Sequence, residues 1–367
     1  MRVRGVCHKV SSLLGILLVL FLTLMSAEGS AQTTPFVEHD DGRTPLIGAF
    51  GQAAQSIDMY IFQLTLPSDD EILQAIRDRV QSGVTVRALL EPCPGEGGAV
   101  CVPPNDDARN ACNLLTTSGV VVKWANPAFP KTHAKSVLID GNKVLIMTLN
   151  LVPQTFTVRR DYGVVTDDPG VVENLSRVFA QDWQDDAPVA DCSEPPDRLP
   201  DPTSQDYSTL VISPDINPVT GVSRAREQLV GTAEMPGLIR SAQVSLKVQM
   251  EKIDPQNNRD ILPALLDRIQ QGVQVQVLLK PPTLDEPENR VVAQRINETG
   301  GQARFQPNLH AKMIIVDEQQ VYVGSHNLTR DSLDRRREIG WVTTDAVTRT
   351  LFQDTFDADW ALTPPLP

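Results

Sequence analysis

The sequence predicts an α/β protein made of two similar halves packed about a pseudo-two-fold axis. The first observation behind this is an internal repeat. Residues 133–183 match 310–360 without a gap at an offset of 177. An upstream block, with Ile72-Leu73 against Ile261-Leu262 and Gly83-Val84 against Gly272-Val273, matches at an offset of 189. The second observation is that strand-like and helix-like periodicities alternate within each copy, which implies helices layered on a sheet. The third is a stretch at 184–208, rich in Asp and Pro, that reads as an exposed connector between the copies. A repeat this long exceeds a solenoid unit, and two like halves of this size pack as the subunits of a homodimer do. The expected organisation is a leader at 1–31, a first half at 33–186, a linker at 187–207 and a second half at 208–363.

The elements of the first copy follow in order. Residues 56–64 form an apolar, partly alternating run and read as a strand. Residues 70–81 place Ile72, Leu73, Ile76 and Val80 at helical spacing, and Gly83 stops the helix. Residues 84–90 are a β-branched strand, 106–117 a helix and 120–124 a short strand. Residues 134–139 and 143–148 pair across an Asp140-Gly141-Asn142 turn. A helix over 171–183 closes the copy, and the same order runs from 243 to 360 in the second.

The leader has Arg2, Arg4 and Lys9, then an apolar run over 13–25, then small residues ending Gly29-Ser30-Ala31. That order is a secretory signal with cleavage near Ala31, and the run is short of the ~20 residues that span a bilayer. An uncleaved N-terminal anchor is the alternative. No later stretch is apolar enough to span a membrane, so the expectation is a soluble, secreted or periplasmic protein. Its four remaining cysteines, Cys93, Cys101, Cys112 and Cys192, then suggest two disulfides. Three connectivities are possible. Cys93 with Cys101 brackets a Pro/Gly-rich loop, which favours that pair together with Cys112–Cys192. The cysteine spacing does not resemble a zinc site.

The formal charge is −13, becoming −15 once the leader is lost, and the chain has only nine lysines. Such a chain is repelled at long range by polyanions, which counts against nucleic acid as the main substrate.

Each copy carries a His, a Lys two residues on and an Asp five further: His133, Lys135 and Asp140, then His310, Lys312 and Asp317. On a strand, His and Lys two apart share a face, so an imidazole and an ammonium can converge on one anion. The Asp faces the other way and begins the turn, which suits it to tying down the hairpin. Ten residues past each Asp lies Asn150 or Asn327, preceded by Thr148 or Ser325, neutral donors suited to phosphate oxygens. Eleven residues past each Asn lies a carboxylate, Asp161 or Glu338, able to fix a histidine tautomer and stabilise an imidazolium. His326 reads as filler at a variable position. No sequence motif points to a metal, and no cofactor is expected.

Both copies resemble the phospholipase D superfamily signature, His-x-Lys-x4-Asp-x6-Gly-Ser-x-Asn. The second copy fits it from His310 to Asn327, and the first has Met147-Thr148-Leu149-Asn150 in place of Gly-Ser-x-Asn. The resemblance implies two phospholipase D-like α/β sandwich halves whose motifs face each other in one site. It implies a covalent phosphohistidine, with His133 as nucleophile and His310 as acid/base, or the reverse. Lys135, Lys312, Asn150 and Asn327 would clamp the phosphate, Thr148 and Ser325 would assist, and Asp161 and Glu338 would orient the histidines. The substrate it suggests is a phospholipid or other phosphodiester, met through peripheral membrane contact, by a monomer that is its own pseudo-dimer. The competing readings are a secreted endonuclease, using the arginines at 159–160 and 335–337, a cardiolipin-synthase-like phosphatidyl transferase, and a non-catalytic phosphate-binding module.

Overall fold

The computed structural model describes residues 31–95, 104–183, 188–189, 191–194, 209–213, 235–256, 260–284 and 287–366. The expected leader, most of the expected linker and Cys101 lie outside them. From Thr33 the chain forms one compact unit.

The first half runs β1 (Thr33–Glu38), α1 (Thr44–Gly51), β2 (Ser56–Ile61), α2 (Glu71–Gln81), β3 (Thr85–Leu90), α3 (Asp106–Thr117), β4 (Val121–Trp124), β5 (Ser136–Ile139), β6 (Lys143–Met147), β7 (Asp161–Thr166) and α4 (Pro169–Trp183). Its sheet has the order β1-β7-β6-β5-β2-β3-β4. The second half runs β8 (Leu210–Ser213), α5 (Met235–Ser241), β9 (Ser245–Met250), α6 (Ile261–Gln270), β10 (Gln274–Leu279), α7 (Glu288–Thr299), β11 (Gln302–Phe305), β12 (Lys312–Val316), β13 (Gln320–Gly324), α8 (Arg330–Asp334), β14 (Glu338–Thr343) and α9 (Ala346–Leu362). Read from β8, its order is β8-β14-β13-β12-β9-β10-β11, the order of the first sheet element for element. In each sheet three strands, β2-β3-β4 and β9-β10-β11, pair in parallel, and the other pairs are antiparallel.

Local chemistry explains the boundaries. Asp70 caps α2 by accepting from the Ile72 amide, Asn105 caps α3 from Ala108, and Asp345 caps α9 from Thr348. The β5–β6 turn has positive φ at Asp140 (51°) and Gly141 (64°), and the β12–β13 turn at Asp317 (50°) and Glu318 (58°), the hand that matches strand twist. Asp140 accepts from the amides of Ala54, Gln55 and Ser56, and Asp317 from those of Gln243, Val244 and Ser245. Each motif aspartate thus fastens its hairpin to the start of the neighbouring strand. Cys112 is bonded to Cys192, across 80 positions. Cys93 is also disulfide-bonded.

Three apolar cores result. One belongs to the first half (Leu46, Ile57, Ile72, Leu90, Leu115) and one to the second (Leu238, Leu246, Ile261, Leu279, Tyr322). The third is shared: Leu138, Ile146, Tyr162 and Phe179 pack with Met313, Ile315, Trp341 and Phe356. Each fully buried side chain there contributes roughly 1.5–3 kcal/mol, so the two halves stabilise each other.

Two symmetric ion pairs cross the same seam. Arg337 meets Asp182 at 2.8 Å and Arg160 meets Asp359 at 2.8 Å. Tyr60 donates to Asp182, and Gln249, its counterpart in the repeat, donates to Asp359. Arg337 and Asp182 are both almost fully buried. Arg337→Ala would leave that carboxylate without its cation, and is expected to cost about 3–5 kcal/mol of stability. Urea unfolding measures this as a lower midpoint at unchanged slope. A loss below about 1 kcal/mol would place the pair among ordinary surface bridges.

Candidate active site

The seam brings both motifs to one place. His133 and His310 stand two residues before the motif lysines, just ahead of β5 and β12. Their amides donate to the backbone oxygens of Arg337 (2.8 Å) and Arg160 (3.2 Å), each in the opposite half. Both histidines line one cavity of about 580 Å³, together with Asn150 and Asn327.

The orienting carboxylates are exchanged. Nδ1 of His133 lies 2.8 Å from Oε2 of Glu338, and Nδ1 of His310 lies 2.8 Å from Oδ1 of Asp161. Each histidine is held by a carboxylate of the other half. An ionised carboxylate accepts from Nδ1–H, which leaves Nε2 of each ring on the cavity side, a base when the ring is neutral and an acid when it is protonated. Burial, then Lys135 and Lys312, hold the His133 imidazole well below its ordinary value, so it is neutral. Burial also lowers His310, while Asp161 works the other way by favouring its imidazolium. Burial works to raise Asp161, but His310 and Lys312 outweigh it and keep it ionised.

The remaining sequence-expected residues divide into those on the cavity and those behind it. Asn150 and Asn327 are on its wall, each with a buried Oδ1 that has no hydrogen-bond partner. Lys135 and Lys312 stand behind it, their ammonium groups donating to the carbonyls of His133 (2.6 Å) and His310 (2.5 Å). The hydroxyls expected to assist with phosphate are turned away. Thr148 donates to Asp161 at 2.5 Å, and Ser325 accepts from the Ile339 amide at 3.0 Å. They brace β7 and β14 rather than facing the cavity. Asp140 and Asp317, the third residue of each motif, sit on the hairpin turns and off the cavity wall.

Met147 has a packing explanation. A Cβ at its counterpart Gly324 would meet the Cα of Gly340 at 2.4 Å and the Tyr322 hydroxyl at 2.5 Å. The first half has Leu145 where the second has Tyr322, and Met147 joins the core there. The glycine of the second copy makes room for its own sheet. The Tyr322 hydroxyl lies 2.7 Å from Nδ1 of His326, which burial lowers to about 4 and keeps neutral.

Sequence reasoning missed two residues on the wall. Glu251 follows β9 and Phe62 follows β2, at equivalent places in the repeat. The Phe62 ring stands edge-on to His133 at 4.4 Å, and Lys135 lies 4.7 Å over it. Oε2 of Glu251 accepts from Lys312 at 2.7 Å and from Asn327 at 3.2 Å, and is 3.7 Å from Nε2 of His310. The offset of 189 aligns these two residues. A carboxylate aligned with an aromatic ring was the available signal.

Glu38 is a third buried carboxyl, paired with Asp161 across β1 and β7. Both its oxygens lack a partner, and burial, then Asp161, push it up to about 9. The fold therefore keeps a proton that the unfolded chain releases near pH 4.5. Its contribution is full below that pH and is lost as pH rises toward about 9. Glu38→Gln is expected to melt higher than wild type at about pH 8, with the two curves converging near pH 4. Parallel curves across that range would contradict the assignment.

Among the described residues, no group of three or more His, Cys, Asp or Glu side chains is arranged to hold a metal ion. Nor is any described helix long and apolar enough to cross a membrane.

A family model described as the PLD-like domain of cardiolipin synthase matches residues 46–183 and 236–360. Phosphatidylserine synthase of Haemophilus influenzae superposes with a TM-score of 0.62 at 13% identity, over 91% of this chain and 87% of that one. Polyphosphate kinase of Porphyromonas gingivalis superposes with a TM-score of 0.55 at 15% identity, over 90% of this chain. The match spans 50% of that kinase's length. No curated protein matches in sequence. At these identities the two solved structures share the fold.

Proposed function

We propose, from the premise that this chain belongs to the phospholipase D superfamily, that it is an exported phosphodiesterase hydrolysing phospholipids through a phosphohistidine. The observation that carries the chemistry is the pair of histidines on one cavity, each with Nδ1 on a buried carboxylate. Nε2 of His133 attacks phosphorus and a P–N bond forms. The P–O bond to the leaving alcohol breaks, and the alkoxide takes its proton from Nε2 of His310, which enters the reaction as the imidazolium that Asp161 favours. Water then gives a proton to His310 and its oxygen to phosphorus, and the P–N bond breaks. These are covalent and acid–base steps of ordinary kind. Export rests on the basic, apolar and small-residue order of the leader.

The cavity wall favours a small zwitterionic headgroup over a polyanion. Its cations Arg159, Lys252, Lys280, Arg330 and Arg336 are interspersed with Glu251, Asp254, Glu288 and Asp331. A nuclease would need a continuous cationic track instead. A phosphatidyl transferase would share the first step and differ in its acceptor, an alcohol in place of water.

Choline release from phosphatidylcholine vesicles, run beside plasmid nicking and cardiolipin formation from phosphatidylglycerol, separates the three. Choline release alone is the expected result. Nicking without it would establish the nuclease, and cardiolipin as main product the transferase.

A further inference from the structure

The asymmetry between Phe62 and Glu251 has a consequence for substrate charge. In the first half the equivalent position holds no carboxylate: Lys135 lies over the Phe62 ring, and the buried Oδ1 of Asn150 has no hydrogen-bond partner. In the second half Lys312, Asn327 and the catalytic face of His310 converge on Oε2 of Glu251. Those are the three groups that would surround a phosphoryl oxygen. Glu251 lies on the cavity wall and Lys312 behind it, so the lysine is screened from the cavity by a carboxylate. Lys280 approaches the other oxygen, Oε1, at 3.8 Å. Burial works to raise Glu251, but Lys312, His310 and Lys280 outweigh it and hold it well below the carboxylate range.

The geometry points to Glu251 as a specificity residue that admits a phosphodiester carrying its own cation beside the phosphate, a zwitterionic amino-alcohol diester, and disfavours diesters without one. This rests on the reading of the cavity as a phosphodiester site. A phosphate entering between the histidines places its charge next to this largely buried carboxylate, where like charges are screened less than in bulk water. A quaternary or primary ammonium on the same substrate gives the carboxylate an opposite charge to meet. Two of the other cations on the wall already face carboxylates. Lys252 is 3.6 Å from Glu288, and Arg336 is 3.9 Å from Asp331.

The test compares p-nitrophenyl phosphorylcholine with bis(p-nitrophenyl) phosphate, which release the same chromophore. Wild type is expected to favour the zwitterion in kcat/KM by at least about tenfold. Glu251→Gln keeps an oxygen for Lys312 and Asn327 but removes the charge. It is expected to shrink that preference about tenfold or more, chiefly through a lower KM for the anionic diester. Calorimetry with phosphorylcholine and with inorganic phosphate gives a readout that needs no turnover. Wild type should bind phosphorylcholine more tightly than phosphate, and Glu251→Gln should bind phosphate about tenfold more tightly than wild type does. An unchanged preference with unchanged phosphate affinity in the variant would overturn the proposal. So would wild type binding the two ligands equally, a result that needs no variant at all. Absence of turnover on both diesters would instead count against the phosphodiesterase reading, leaving the binding comparison to decide the role of Glu251.

Discussion

His133→Ala is expected to lower kcat by about 10⁵-fold or more, because it removes the atom that bonds to phosphorus. His310→Ala should behave differently. With choline as leaving group it should lose about 10²–10⁴-fold, the usual worth of positioned acid–base catalysis. With p-nitrophenolate, which departs without a proton, the first step should survive and the second should not. Mixing His310→Ala with p-nitrophenyl phosphorylcholine should then give a burst of about one chromophore per enzyme followed by near-arrest. His133→Ala should give no burst. The same pattern with the two variants exchanged would reverse the roles of the histidines. Bursts from neither would remove the covalent intermediate. The neutral, deeply buried state of His133 and the Asp161 charge favouring a proton on His310 both support the first assignment.

The second large effect is expected at Glu338→Gln, about 10³–10⁴-fold in kcat. The side chain is fully buried and bonded to Nδ1 of His133 through both oxygens, at 2.8 and 3.0 Å. A glutamine can turn its amide nitrogen toward Nδ1. That places the ring proton on Nε2, on the cavity side, and the nucleophile loses its lone pair. The burst should therefore vanish in Glu338→Gln, whereas Asp161→Asn, acting through His310, should preserve it and slow the steady state. Thermal melting within a few degrees of wild type would separate these effects from misfolding. A loss of under tenfold in Glu338→Gln would mean that the carboxylate does not govern the His133 tautomer.

Much of this was legible in the chain. The sequence placed β2, α2, β3, α3, β5, β6 and α4 to within about three residues, because their apolar periodicity is strong. β1, α1 and β7 were not read, nor β8, α5 and β14. β1 opens with polar residues and a proline, and β7 mixes Asp161 and Gly163 with apolar residues. These strands owe their place to the antiparallel pairing of Thr33–Glu38 with Asp161–Thr166, a contact between distant segments that local pattern does not encode. Likewise the sequence named both histidines and both carboxylates as candidates, but spacing within a copy cannot say which carboxylate serves which ring. That exchange comes from the seam. Thr148 and Ser325 were misjudged because they follow the ends of β6 and β13, where strand alternation no longer fixes which side chain reaches the cavity, and Asn150 and Asn327 took the cavity side.

The exchanged carboxylates also set when in its life the chain becomes active. Glu338 is 205 positions after His133. At about 5–20 residues per second, a growing chain carries its nucleophile for roughly 10–40 s before it carries the group that arms it. His310 waits on no later carboxylate, since Asp161 is already made, yet in the proposed mechanism it works on a phosphohistidine whose formation depends on Glu338. Competence is therefore acquired late and all at once, and a chain halted or clipped before β14 stays inert however well its first half has folded.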